Sequence, residues 1–307
     1  MILVVCPSPT VQRRMVFAKV LSNQVNRAME VEQLSSGKGI NCARVIMNLR
    51  QPVVALLFVG GESGAWLRRA VQAEGIATSE VDVPQPTRTC CTILETGSGA
   101  ATELVENAAP VDMDAVHAYL AEYRRLLERC RVVVCAGTLP PGVPVTLYRE
   151  MLQMAVDRGV CTLLDAQGES LFSALPARPF LVKPNRMELA AATGIDCNTE
   201  AGCLQAIKAL HREGARWVMV TDGGGEALLS GNNQTWSYIP PAIEPRNPIG
   251  SGDSTMGGIA VSLMLGKQVP EAVHFGVACG TANAMGVGYG RLDVSMVSSL
   301  LDQVVVR

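Results

Sequence analysis

The chain has 307 residues, 48% of them hydrophobic, enough to bury one large core or two modest ones. Its formal net charge is −2 and its isoelectric point lies near 6.0. That excludes nucleic acid and an anionic membrane as main partners, because neither is drawn to a nearly neutral surface, and any positive charge that matters must be local.

The opening run MILVVC is apolar and strand-like, lacks a basic leader and is far too short to span a bilayer, so a cytoplasmic protein is expected. Residues 11–35 alternate apolar and polar positions without a helical stripe, which predicts strands outside a main sheet. In SSGKGINCARVIMNLR a glycine-flanked turn feeds an apolar-periodic helix, with Lys38 and Asn41 at its entrance. Polar side chains at a helix mouth suit a sugar or sugar phosphate, with a plain loop and helix as the alternative reading. RTCCTILETGSGAATELVEN reads as a hairpin about Gly97, Ser98 and Gly99, and with the earlier strands it forms a candidate β lid.

From about residue 113 helical and strand periods alternate, from MDAVHAYLAEYRRLLERC and RVVVCAG to CLQAIKALHREG and WVMVTDG. Such alternation implies right-handed βαβ crossovers and a doubly wound, mostly parallel α/β sheet, whose ligands bind beyond the carboxyl ends of the strands. CAGTLPPG, VKPN and TDGGG all fall at that edge. No linker, repeat or low-complexity tract divides the chain, so residues 1–307 are read as one domain with lid segments at about 11–35 and 87–107. The ten cysteines are scattered without a CxxC, and His117, His211 and His274 lack HxH or HExxH spacing. Neither set supports a disulfide framework or a metal held by histidines.

VKPNRMEL places Lys183, Asn185 and Glu188 where a strand ends and a helix begins, although Glu188 is also an ordinary first-turn carboxylate. The most telling stretch is NPIGSGDSTMGGIA, in which glycines converge on a helix start that also carries Asp253. Asp253 as a helix cap is the plain reading. Converging amides and the helix dipole hold an anion, however, and a carboxylate there would repel a phosphate unless it takes a proton from an attacking hydroxyl. The pairing points to phosphoryl transfer without a P-loop, since GxxxxGK[ST] is absent.

The succession GKGIN, RT, LPPGV, KPNRME, TDGGGEA and NPIGSGDS resembles, over essentially the whole chain, the ribokinase-like carbohydrate kinases of the phosphofructokinase B branch. It is most similar to the tagatose-6-phosphate kinase and 1-phosphofructokinase subgroup. The resemblance implies ATP and Mg²⁺, with Asp253 as general base and the amides of Gly250, Ser251 and Gly252 as anion hole. It assigns Asn185 and Glu188 to Mg²⁺ through water, with Lys183 beside them, and puts Thr221, Gly223 and Asn283 at the nucleotide. It gives Gly37, Lys38, Gly39 and Asn41 to the sugar turn and Arg88 to the acceptor's phosphate, with Arg27 in the lid as a further substrate-binding candidate, and it implies a homodimer through the lid strands.

The sequence departs from that pattern where NPxxD becomes CPSPT, with Cys6 for the asparagine and Thr10 for the aspartate, and where Ser36 replaces a glycine. Glu103 or Glu106 is the candidate replacement for the missing acid. The expected activity is transfer of a γ-phosphoryl group to fructose 1-phosphate, fructose 6-phosphate or tagatose 6-phosphate. Two other readings stay open: a sugar-phosphate-binding regulator with vestigial catalysis, and a kinase of a different small alcohol.

Overall fold

In the computed structural model, which describes every residue from Met1 to Arg307, the main sheet grows from β1 (Ile2–Cys6). Its side chains alternate between two cores, Ile2, Val4 and Cys6 on one face and Leu3 and Val5 on the other. A strand apolar on both faces can only be central, with helices covering each side.

The chain continues through β2 (Thr10–Phe17), β3 (Glu30–Ser36), α1 (Lys38–Asn48), β4 (Val53–Val59), α2 (Gly61–Ala73), β5 (Ala77–Asp82), β6 (Thr89–Glu95) and β7 (Ala101–Val105). Next come α3 (Met113–Leu127), β8 (Val132–Ala136), α4 (Leu147–Val156), β9 (Cys161–Asp165), α5 (Gly168–Ala174), β10 (Leu181–Val182), α6 (Arg186–Thr193), α7 (Glu200–Glu213) and β11 (Trp217–Val220). It ends with β12 (Ala227–Gly231), β13 (Gln234–Ile239), α8 (Ser251–Met264), α9 (Val269–Met285), α10 (Val294–Leu301) and β14 (Val305–Val306).

Ten strands form the main sheet in the order β14-β13-β12-β11-β10-β9-β8-β1-β4-β5. The run from β5 to β11 is parallel and the last three strands are antiparallel, which agrees with the expected mostly parallel, doubly wound α/β fold. One core packs under α1, α2, α8, α9 and α10, the other under α3 to α7. The strand order reverses at β1, which pairs with both β4 and β8, so a crevice opens at their carboxyl ends.

The strands expected outside the main sheet form a second one, ordered β3-β2-β6-β7. Its two antiparallel hairpins join through a parallel pairing of β2 with β6, and the β6–β7 turn runs through Gly99 at φ 71°. Thr10, Gln12, Cys90 and Glu103 carry this sheet to the rim of the crevice.

α8 is fixed from two sides by the absence of side chains. A Cβ on Gly257 would lie 2.8 Å from Val45 Cβ of α1, and one on Gly276 of α9 would lie 2.7 Å from the Thr255 carbonyl oxygen. Both contacts are closer than carbon atoms tolerate, so α8 sits deeper than any larger residue allows. Gly276→Ala should therefore cost about 1–3 kcal/mol in urea unfolding, the usual penalty of overpacking. Gly224→Ala, where an added Cβ meets nothing within 4 Å, should leave the midpoint unchanged.

Candidate active site

The crevice is a cleft of about 880 Å³ that runs from the second sheet, past the mouths of α1 and α8, to the β11–β12 turn. A second groove of about 440 Å³ lies between α3 and α4, where the one ion pair, Arg124 with Glu150, is exposed. Only the larger cleft gathers buried charge.

α8 begins at Gly250, whose φ of 83° is one that glycine adopts without strain. The Ser251 amide turns back to the Pro248 carbonyl at 3.2 Å, so it is taken out of the expected anion hole. The amides of Gly250, Gly252 and Asp253 have no acceptor within the protein and stand at the positive end of the helix. Asp253 is no cap, because its side chain bonds no amide of its own helix. Instead Asp253 Oδ2 accepts from Asn41 Nδ2 at 2.8 Å. Burial pushes this carboxyl up to about 6, reinforced by Asp165 and opposed by Lys38, Asn41 and Lys183.

Asp165, the last residue of β9, organises the cations. Lys38 Nζ lies 2.7 Å from one of its oxygens and Lys183 Nζ 2.9 Å from the other. Burial would raise this carboxyl, but the two lysines outweigh it and hold it down at about 2. Lys38 also reaches Glu188 Oε1 at 3.2 Å, so the lysine expected at the sugar also touches a carboxylate expected on the nucleotide side. Its ammonium is held far above the lysine range: burial works against the charge, and Asp165, Glu188 and Asp253 overcome it. Sequence reasoning missed Asp165. The signal was available, since CTLLDA ends a predicted strand in a carboxylate at the edge already singled out.

Asn185 and Glu188 form a capping box at the start of α6. Asn185 Oδ1 accepts from the Glu188 amide at 2.7 Å, and Glu188 Oε2 accepts from the Asn185 amide at 2.9 Å. No group of three or more His, Cys, Asp or Glu side chains is placed to cage a metal. Glu188, a cleft-lining carboxylate braced by its own helix, fits a hydrated magnesium ion shared with phosphates rather than a protein cage.

At the other end Thr10, Gly37, Asn41 and Arg88 all line the cleft. Thr10 Oγ1 donates to backbone carbonyls of Val11 and Arg88, each at 3.2 Å. Arg88 donates to the carbonyls of Glu106 and Ser8 at 3.1 and 3.2 Å, and its buried Nε has no partner. Of the two candidate acids, Glu106 accepts from the Thr89 amide and lies outside the cleft lining, whereas Glu103 lines it, its carboxyl raised by burial.

Three expected positions lie elsewhere. Gly39 packs on Cys6, where a Cβ would come within 2.3 Å of the cysteine Cβ, so this glycine serves helix packing. Arg27 is exposed in the β2–β3 loop, away from the cleft. Asn283 is wholly buried, donates to Ile249 O and Ser251 Oγ and accepts from the Gly290 amide, so it braces the α8 entrance rather than facing a ligand. Thr221 and Gly223 do line the cleft, facing an apolar wall that includes Met219, Ile243 and Val277.

The sequence profile described as pfkB family carbohydrate kinase matches residues 4–291. Among solved structures, a possible 1-phosphofructokinase of Thermotoga maritima aligns with a TM-score of 0.91 and 23% identity, covering 100% of this chain and 98% of that one. Phosphofructokinase-2 of Escherichia coli in complex with fructose-6-phosphate aligns at 0.87 and 23%, covering 98% of each. Ribokinase of Arabidopsis thaliana complexed with ribose and ATP aligns at 0.76 and 20%, covering 97% and 98%. At these identities the likeness is one of fold. No helix of this chain is long and apolar enough to cross a membrane.

The two central carboxylates should behave oppositely on neutralisation. Asp165 is depressed from 3.8 to about 2, so its stabilisation is present above the unfolded value and is lost as the pH falls through about 2. Asp165→Asn strands a buried lysine and should lower stability at neutral pH by about 3–5 kcal/mol in urea unfolding. Asp253 is raised from 3.8 to about 6, so above that pH the folded protein carries a charge it disfavours. Asp253→Asn should be no less stable than wild type at pH 7, and a large loss there would show that the acid supports the fold.

Proposed function

The chain belongs to the pfkB family of carbohydrate kinases, and from that premise we propose that it transfers the γ-phosphoryl group of ATP to a hydroxyl of a ketohexose phosphate. The candidate acceptors are fructose 1-phosphate, fructose 6-phosphate and tagatose 6-phosphate. The observation that carries the reading is Asp253, a buried carboxylate raised to about 6 beside unpartnered amides at a helix start. Such a group is charged at neutral pH yet close enough in affinity to take a proton during the transfer.

In this reading Asp253 draws the proton from the acceptor hydroxyl, and the amides of Gly250, Gly252 and Asp253 receive the charge that develops on the transferred phosphoryl group. Ser251 contributes through its hydroxyl, held by Asn283, rather than through its amide. Lys38 and Lys183, each paired with Asp165, supply positive charge along the phosphates. Glu188 and Asn185 would hold Mg²⁺ through water, and the ion when bound neutralises phosphate charge. Thr221, Gly223 and the apolar wall accommodate the nucleotide base.

For the acceptor, Asn41 and the Gly37 turn meet the hydroxyls and Arg88, which lines the same end of the cleft, grips the phosphate. Thr10 supplies one hydroxyl where a carboxylate would accept two bonds, and Glu103 is the acid positioned to take over that task. A homodimer through the second sheet follows the same reading, with Val31, Leu104 and Val105 exposed on its strands. A cytoplasmic location fits a kinase of soluble metabolites.

An ADP-release assay over a panel of sugars and sugar phosphates tests the assignment, and turnover confined to unphosphorylated sugars would overturn the acceptor class. Asp253→Asn should lower kcat by about 10²–10⁴-fold while ATP binding persists. The wild-type kcat should fall as the pH drops through about 6, because the base is then protonated. Arg88→Ala should raise KM for the sugar phosphate about ten- to a hundredfold and leave KM for ATP nearly unchanged. An equal loss for both would make Arg88 a structural residue.

A further inference from the structure

The side-chain amide of Asn41 has two chemically distinct ends: Oδ1 accepts and Nδ2 donates. Nδ2 donates to Asp253 Oδ2 at 2.8 Å, while Oδ1 accepts from Arg44 Nη1 at 3.1 Å and from Ser36 Oγ at 3.2 Å. A serine hydroxyl satisfies either end of an amide, but a guanidinium only donates. Arg44 is therefore the group that forbids the flipped amide, in which Oδ1 would face a carboxylate and the NH₂ would face a cation.

Arg44 has no freedom of its own. It is 2% exposed, its Nε is paired with Glu74, the residue that caps the end of α2, its Nη2 donates to the Ser35 carbonyl at 2.7 Å, and its Nη1 also meets the Tyr289 carbonyl. Arg44 and Glu74 both lie outside the cleft lining. A buried ion pair adds little net stability compared with an apolar pair of similar size, so its presence here calls for another reason.

We propose that Arg44 is a positioning residue that locks the Asn41 amide in the one orientation that donates to Asp253, keeping that acid ionised and aimed. The inference rests on the reading of Asp253 as the base. It extends the catalytic apparatus from α8 through α1 to α2, by a relay in which each partner's donor or acceptor character dictates the next. The other groups facing Asp253 are Asp165, Lys38 and Lys183, with the buried thiols of Cys6 and Cys42. On the far side Glu74 feels Arg44 and Arg291. Substitution of Arg44 leaves the first set in place, so a change in the titration of Asp253 reports on the amide.

The test is kcat as a function of pH for three variants. Arg44→Met combined with Glu74→Gln removes the buried pair without stranding a charge. Arg44→Lys keeps a cation against Glu74, but its single ammonium cannot span the same set of acceptors. Asn41→Leu removes the donor directly. Each should move the acid limb upward by about one pH unit, the worth of one hydrogen bond to a charged group, so that the loss is large at acid pH and recovers as the pH rises. A kcat lowered equally at every pH with an unmoved limb in the Arg44 variants would overturn the proposal by making Arg44 merely structural. An unmoved limb in Asn41→Leu overturns it independently, even if neither Arg44 variant folds. Asp253→Asn separates the two readings: near-normal turnover in that variant removes the base itself, whereas loss of turnover there together with unmoved limbs in the others removes only the relay.

Discussion

The interaction on which the site depends is the placement of one buried carboxylate, Asp165, between the ammonium groups of Lys38 and Lys183. Each of the three comes from a different element: the end of β9, the mouth of α1 and the segment after β10. Removing Asp165 would leave Lys183, almost wholly buried, without its counter-ion, so the three elements are held in one arrangement by electrostatics as well as by packing. Asp253 sits at the edge of the same field. It feels Asp165 as a repulsion and the lysines as an attraction, and its raised affinity for a proton follows chiefly from burial, the one influence the ion cluster does not cancel.

Much of this was legible in the sequence because the signals were local. The alternation of helical and strand periods after residue 113 sufficed for the parallel sheet, since each βαβ unit is contiguous and right-handed crossovers leave few arrangements. The glycines of NPIGSGDS announced a helix start approached closely by another group, and Gly250 with its positive φ is such a start. The two-period alternation in residues 11–35 likewise marked strands, although nothing local indicated that β2 would pair in parallel with β6.

What escaped was non-local. Asp165 is one carboxylate in an apolar strand, and only the juxtaposition of β9 with α1 and with the segment after β10 reveals its two cations. Lys38 stands in a turn read as sugar-binding, yet a side chain of that length reaches the neighbouring subsite. Asn283 and Gly39 occupy motif positions, but their side-chain space faces inward, to a turn in one case and to Cys6 in the other. Motif position says that a residue matters to a site; it does not say whether the residue touches the ligand or holds something that does.

The parallel join between β2 and β6 bears on how the molecule assembles. Val11 pairs with Thr89, 78 positions further along the chain, and between them lie α1, β4, α2 and β5, all part of the main body. A pairing of that span closes a long loop, which is entropically expensive until the intervening segment has already been compacted. Each hairpin of the smaller sheet closes locally, but their joining into one sheet awaits the β1–β4–β5 wall. In refolding, the rim that this sheet lends to the cleft should accordingly take its shape only after that wall has compacted.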